Sequence, residues 1–202
     1  MSERRHDKLL GIRTIGLRDW PDDSDYNRYE ATPYRALEHL FTYYSMEETD
    51  CLVDFGCGRG RVLFYIHNRF QIPVTGIEAH DVTYGEAINN EYTYRHKAKG
   101  INAPIHLKFG LAQHYTIKPE DNCFYFFNPF SERIFKKVIV NIYHSLRKHE
   151  RSVDLILYYP MPKYKQILKY HTPFELINKV RLPKLSDHRE KFLIYRYVPS
   201  AG

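Results

Sequence analysis

The stretch Leu52-Val53-Asp54-Phe55-Gly56-Cys57-Gly58-Arg59-Gly60-Arg61 decides how this chain folds. An apolar run from Cys51 to Phe55 ends in three glycines at alternate positions. Beyond them Val62, Leu63, Ile66 and Phe70 recur at helical spacing, so the unit reads strand, glycine loop, helix. Glycines allow a sharp turn and a close backbone approach to a ligand. The helix start that follows offers unpaired N–H groups to a polar or anionic group.

Spacing separates the nucleotide-type ligands that use such a loop. A dinucleotide fingerprint needs G-x-G-x-x-G, and a P-loop needs a terminal Gly-Lys-Ser/Thr. This chain has G-x-G-x-G, with Asp54 two residues before the first glycine. Asp54-Phe55-Gly56-Cys57-Gly58-Arg59-Gly60 resembles motif I of the class I S-adenosylmethionine-dependent methyltransferases. The resemblance implies that Asp54 and the backbone of Gly56, Cys57, Gly58 and Gly60 hold the methionine end of that cofactor. A glycine turn without a ligand is the plainer alternative.

Working outward, Pro73 to Glu78 reads as a second strand ending in an acid. A carboxylate at that point can accept hydrogen bonds from both ribose hydroxyls of an adenosine, as in dinucleotide folds. Glu78 lies 18 residues beyond Gly60, about one strand-helix-strand unit, and the resemblance assigns it the ribose. Tyr84 to Lys99 reads as a helix stopped at Gly100, and Ile105 to Phe109 as the third strand. Gly110-Leu111-Ala112 follows, where methyltransferases of this type often carry Gly-Asp-Ala with the acid on the adenine amine. Leu111 replaces that acid, which leaves backbone contacts from Leu111 and Ala112, aided by Gln113.

Cys123 to Phe127 is a continuous apolar run, suited to a central parallel strand buried on both faces. Its exit, Asn128-Pro129-Phe130, partly resembles the Asp/Asn-Pro-Pro-Tyr/Phe motif IV of amino-methyltransferases, with one proline instead of two. That likeness implies a substrate amine held by Asn128 and a backbone carbonyl, with the Phe130 ring stacked on the substrate. The alternative is a strand-to-helix turn in which Ser131 caps a helix carrying Ile134, Phe135, Val138, Ile139, Ile142 and Leu146. Val153 to Pro160 reads as the fifth strand, and Pro162 opens a helix through Tyr170. Phe174 to Leu182 and Phe192 to Val198 alternate as two strands around a loop at 183–188.

Residues 1–28 are polar and mixed in charge, with an acidic loop at 20–25, and read as an N-terminal arm or a lid. Thr32 as N-cap with Pro33 at the first helical position predicts a helix through Tyr34, Leu37, Phe41 and Tyr44. Tyr29-Glu30-Ala31-Thr32-Pro33 also resembles a Tyr-x-x-Thr-Pro-like segment that closes over the methionine part of the cofactor, which would make Tyr29 and Thr32 contacts. The resemblance spans roughly residues 29 to 198, the methyltransferase domain being 29–202. It implies an α/β fold: a single three-layer domain with a seven-stranded, mostly parallel sheet, an antiparallel last strand and helices on both faces.

Length and composition are compatible with this. The 202 residues, 43% of them hydrophobic, suffice for one α/β domain with a core. No apolar run is long enough to cross a membrane, and the charged start lacks a secretory core. Three cysteines, Cys51, Cys57 and Cys123, without metal-ligand spacing point to a reducing cytoplasm and no disulfide framework. The eleven histidines carry no metal-site spacing, so no metal is expected. Cys57 reads as a small packed residue, not a nucleophile.

The 30 Lys and Arg against 24 Asp and Glu leave a net charge of +6. Pro162 to Tyr197 holds nine Lys/Arg against three Asp/Glu, interleaved with tyrosines. Such a stretch is compatible with a nucleic-acid strand, or with the solvated faces of terminal strands. The expected activity is methyl transfer from S-adenosylmethionine to an acceptor beside Asn128. The methyl acceptor and the oligomeric state are open. Two other readings stand: a cofactor-binding protein without catalysis, and a nicotinamide oxidoreductase.

Overall fold

The computed structural model describes residues 2–21, 24–183 and 187–199. Asp22 and Asp23 of the expected acidic loop, and Lys184, Leu185 and Ser186 of the loop before the last strand, lie outside the described residues. In chain order the elements are α1 (Glu3–Leu10), α2 (Tyr34–Leu40), β1 (Leu52–Phe55), α3 (Arg61–Phe70), β2 (Val74–Glu78), α4 (Asp81–Lys97) and β3 (Ile105–Phe109). After a 3-10 turn at Ala112–His114 come β4 (Cys123–Phe127), α5 (Glu132–Lys148), β5 (Val153–Tyr158), α6 (Pro162–His171), β6 (Glu175–Arg181) and β7 (Lys191–Tyr197).

The strands form one seven-stranded sheet in the order β3-β2-β1-β4-β5-β7-β6. From β3 to β5 every pair is parallel, and β7 runs antiparallel to both neighbours. Between β1 and β4 the strand order reverses, because the chain leaves β1 for β2 on one side and later returns to pair β4 on the other. In open α/β sheets such a switch opens a crevice outside the carboxyl ends of the strands. The glycine loop leaves β1 at that point.

The central strands alternate between two cores, one on each face. Leu52, Val74, Cys123, Tyr125 and Ile156 join residues of α1, α2 and α3 on one side. Val53, Phe55, Phe124, Phe126 and Leu155 meet α5 and α6 on the other. β1 and β5 are buried along their whole length, as a strand covered on both faces must be. The edge strands β3 and β6 are mostly exposed. In α5 the six apolar residues expected to face the core are all buried, and Ser131 Oγ accepts the Ile134 N–H as its cap.

Two expectations are corrected at the N-terminal side. Thr32 does not cap α2: the helix starts at Tyr34 without a side-chain cap, and the buried Thr32 hydroxyl pairs with the Tyr125 hydroxyl at 2.8 Å. The arm at 1–28 contains a helix, α1, that rests on α3 and α4. Its polar sequence conceals this because the residue it buries most deeply is a charged one, Asp7.

Candidate functional site

At the switch point the backbone is shaped by close packing against side chains of other segments. Gly56, Gly58 and Gly60 all have positive φ (77°, 57° and 85°), a conformation costly for any residue with a Cβ. At Gly58 a Cβ would also lie 2.1 Å from the Tyr29 ring, so only glycine lets that ring close down on the loop. A Cβ at Gly56 would fall 2.5 Å from Pro129 Cβ. The loop from β1 and the exit of β4 therefore meet with nothing but backbone on the glycine side.

Two carboxylates flank the loop. Glu78, at the end of β2, accepts the Gly58 N–H at 2.9 Å on one oxygen and the His80 N–H at 2.8 Å on the other. Burial raises its pKa, and the two amides hold that rise in check. Asp54 is 3% exposed and has no hydrogen-bond partner among the described residues. Burial first, then the nearby Glu78 charge, push its carboxyl well above the usual carboxylate range. An uncompensated buried acid of this kind favours either its proton or a cationic ligand group. The Cys57 thiol is buried and raised in pKa by that burial, as befits a packing residue.

Beside the loop is a narrow cavity of about 50 Å³, lined by Gly56, Glu78, His80, Gly110, Ala112 and Pro129, among others. Tyr29 lines it too, with its hydroxyl donating to Thr14 O at 2.5 Å. Thr32 does not; its carbonyl accepts from the buried Arg61. Leu111 is 39% exposed and is not on this wall, leaving Gly110 and Ala112 on that side. The third side is built by residues that the sequence reading passed over: Arg18, Trp20 and Tyr26. Their one sequence signal is that Trp20 is the sole tryptophan of the chain.

A second cavity, of about 420 Å³, opens past the carboxyl ends of β4 and β5. Asn128 is on its wall with φ 39°, and Tyr159, at the end of β5, has φ 49°. Non-glycine residues held in this region carry strain that the surrounding fold must impose, and such residues cluster at functional sites. Among the described residues, Asn128 Oδ1 is the one side-chain polar atom wholly shut off from solvent that has no hydrogen-bond partner. The main chain there is pinned from the N-terminal side: Asn27 Nδ2 donates to Asn128 O at 2.7 Å, and Asn27 N to Pro129 O at 3.1 Å. Phe127, Tyr158 and Tyr159 supply aromatic walls, and Glu30, Asp187 and Glu190 supply carboxylates. The Phe130 ring is not placed as its motif implied. It is fully buried, edge-on to Phe126 and to Tyr26. The two cavities share Asn27, Arg28, Glu30 and Phe127, so they are adjoining chambers with Asn128 and Pro129 at their junction. Among the described residues no group of three or more His, Cys, Asp or Glu could hold a metal ion.

An RNA methyltransferase from Salinibacter ruber, in complex with S-adenosyl-L-homocysteine, has this architecture. It matches with a TM-score of 0.54 at 16% identity, over 83% of this chain and 92% of that one. The fold is that of the class I S-adenosylmethionine-dependent methyltransferases. A protein of the NADB-Rossmann superfamily from Streptococcus agalactiae matches at TM-score 0.58 and 12% identity, over 85% of this chain and 71% of that one. The tRNA (uracil-54, C5)-methyltransferase of Pyrococcus abyssi, also in complex with S-adenosyl-L-homocysteine, matches at TM-score 0.56 and 12% identity. It covers 91% of this chain and 44% of its own. No family model and no curated sequence matches the chain. No helix of the described residues is long and apolar enough to cross a membrane.

Proposed function

We propose that the protein transfers a methyl group from S-adenosylmethionine to an acceptor nitrogen held at Asn128. The observation that carries this reading is the junction of the two chambers. The small chamber beside the glycine loop adjoins a larger cavity, and Asn128, whose Oδ1 is shut off from solvent without a hydrogen-bond partner, stands between them. The similar structures from Salinibacter ruber and Pyrococcus abyssi are methyltransferases in complex with S-adenosyl-L-homocysteine, which supports it.

The residues present fit the cofactor at its methionine end and at its ribose. Asp54 offers a buried carboxyl whose charged form lacks a partner, and the α-ammonium of the methionine portion would stabilise that form. The loop of Gly56, Cys57, Gly58 and Gly60 would pass beneath that end, its glycines letting Pro129, Tyr29 and Phe64 pack directly on the backbone. Tyr29, on Gly58, closes the same end. Glu78, with each oxygen holding one amide, keeps lone pairs for ribose hydroxyls. At the adenine, Ala112 would contribute backbone only, and Leu111 no side-chain recognition. When bound, the cofactor supplies a methyl group activated by the neighbouring sulfonium charge.

Asn128 Oδ1 would accept an N–H of the acceptor, which fixes the direction of the nitrogen lone pair. Positioning of this kind accounts for most of what such a transfer needs. The left-handed backbone at Asn128 and the two Asn27 hydrogen bonds hold the amide in place before the acceptor arrives. Phe127, Tyr158 and Tyr159 would exclude water around the acceptor.

The test is calorimetric titration with S-adenosylmethionine, S-adenosylhomocysteine and NAD in parallel. Micromolar binding of the first two without NAD is expected; binding of NAD alone would replace this reading with an oxidoreductase. Asn128→Ala should then keep S-adenosylhomocysteine affinity within threefold and lose at least a hundredfold in turnover on any amine found to be methylated. A variant with normal turnover would remove Asn128 from the acceptor site.

A further inference from the structure

The cofactor reading leaves the base without a side chain to recognise it, because Leu111 stands where an acid would be and faces outward. The opposite wall of the same cavity is built from the N-terminal segment, and its chemistry suits a base. The Trp20 ring stacks on Tyr26 with centroids 4.9 Å apart and planes 26° from parallel. It also stands edge-on to His80 at 5.1 Å, two residues beyond Glu78 on the chain. The Tyr26 hydroxyl donates to Gln113 Oε1 at 3.3 Å, next to Ala112. Two aromatic rings thus lie between the ribose carboxylate and the backbone of the third-strand exit.

We propose that Trp20, backed by Tyr26, is the base-recognising surface of the nucleoside half of this pocket, in place of the acid missing at Leu111. The proposal rests on the cofactor assignment above. The Trp20 backbone is held by hydrogen bonds on both sides, while its ring is held only by packing on Tyr26 and His80. Before it, Arg18 donates to both Glu86 oxygens at 2.7 and 2.9 Å and to Thr83 Oγ1 at 2.8 Å, which fastens the segment to α4. After it, Tyr26 bridges the Phe130 backbone, and Asp25 holds Ser131 Oγ at 2.7 Å. The indole N–H has no hydrogen-bond partner among the described residues, and the side chain is half-buried. A π-face held this way stacks on any base, and the unpaired N–H is free to bond one.

The size of the cavity makes the same point. About 50 Å³ lies between these walls, whereas pockets for small ligands run to roughly 300 Å³ or more. A nucleoside therefore enters only by displacing the rings that fill the space. Trp20 and Tyr26 are those rings, and a base that parts them takes over the stacking that each now gives the other. Trp20 then changes its surroundings whenever a nucleoside binds.

Because Trp20 is the sole tryptophan, the full-length protein carries its own probe. Tryptophan emission and calorimetry are followed together during titration with S-adenosylhomocysteine, adenosine and methionine. S-adenosylhomocysteine and adenosine should both alter the emission, and methionine should not. Trp20→Ala should weaken S-adenosylhomocysteine at least tenfold by calorimetry, and Trp20→Phe, which keeps a stacking face, by no more than threefold. Equal affinity in wild type and Trp20→Ala would overturn the proposal. So would unchanged emission at calorimetric saturation of the wild type, a criterion that holds even if Trp20→Ala does not fold. No S-adenosylhomocysteine binding to the wild type would be a different failure, that of the cofactor assignment, and would take this proposal with it.

Discussion

Asp54 is placed against its own stability. Its carboxyl is buried, lacks a hydrogen-bond partner among the described residues and faces the charge of Glu78, so the folded protein holds its proton more tightly than the unfolded chain does. As pH rises from the ordinary value near 3.8 through the raised folded value, the folded state gives up a proton that the unfolded state has already lost. Stability therefore falls over that range, and the deficit persists at neutral pH. Asp54→Asn should raise the melting temperature by about 2–4 °C at pH 7, which corresponds to about 1 kcal/mol for a domain this size. The gain should shrink to nothing below the ordinary carboxylate range, and S-adenosylhomocysteine affinity should drop at least tenfold. Thermal melts from acid to neutral pH with a parallel titration check both; a variant less stable at pH 7 would show that Asp54 is a structural acid. Residues kept at a cost to the fold are expected where a ligand completes them.

One buried side chain gathers several of the links between α1 and the rest of the fold. Arg61, the first residue of α3 and 4% exposed, donates to Thr14 Oγ1 at 2.7 Å, to Thr32 O at 3.2 Å and to the Glu3 carboxylate. It also lies over the Tyr34 ring at 4.5 Å and 3.7 Å from Asp7. Asp7 in turn accepts from Thr14 N, Thr14 Oγ1 and the Tyr34 hydroxyl, each at 2.7 Å. The helix after the glycine loop is thus tied to the segment that carries Tyr29, Trp20 and Tyr26. Breaking a buried pair by removing one partner costs about 3–5 kcal/mol. Arg61→Met should lower the denaturation free energy by about that much and increase amide exchange in α1. Asp7→Asn added to Arg61→Met should recover part of the loss, since it discharges the partner left behind. A loss below about 1 kcal/mol would mean that α1 is held by its apolar contacts instead.

At the scale of the molecule, positive charge gathers where the sheet ends. Lys191 on β7 is lowered in pKa by burial and then by Lys179, Lys165 and Arg181 around it. Lys179 and Arg181 are exposed on the edge strand β6. A patch like this attracts polyanions without reading their sequence, through release of counterions. Single-stranded RNA should therefore bind at low ionic strength and be released as salt rises. The double variant Lys179→Glu, Arg181→Glu should lose that binding in a filter or polarisation assay. Binding that survives both high salt and the double variant would point instead to an acceptor site for RNA at the aromatic chamber beside Asn128.

The sequence by itself determined the run of strands, the glycine turn after β1, the acid ending β2 and the buried face of α5. Each of these follows from local chemistry: apolar periodicity, conformational freedom at Gly56, Gly58 and Gly60, or a cap one turn from its donor. The antiparallel last strand and the seven-stranded sheet came from the likeness of motif I to a family, and the strand order bears them out. Only the tertiary structure decided what Thr32, Phe130 and Trp20 do. The partner of Thr32 is Tyr125, 93 residues away; Phe130 points inward because Tyr26 and Phe126 meet it there; Trp20 reaches a cavity through His80. The same is true of α1, whose polar sequence makes sense once Arg61 lies beneath it. Contacts between residues so far apart leave no period in the sequence, since they depend on which surfaces the folded sheet brings together.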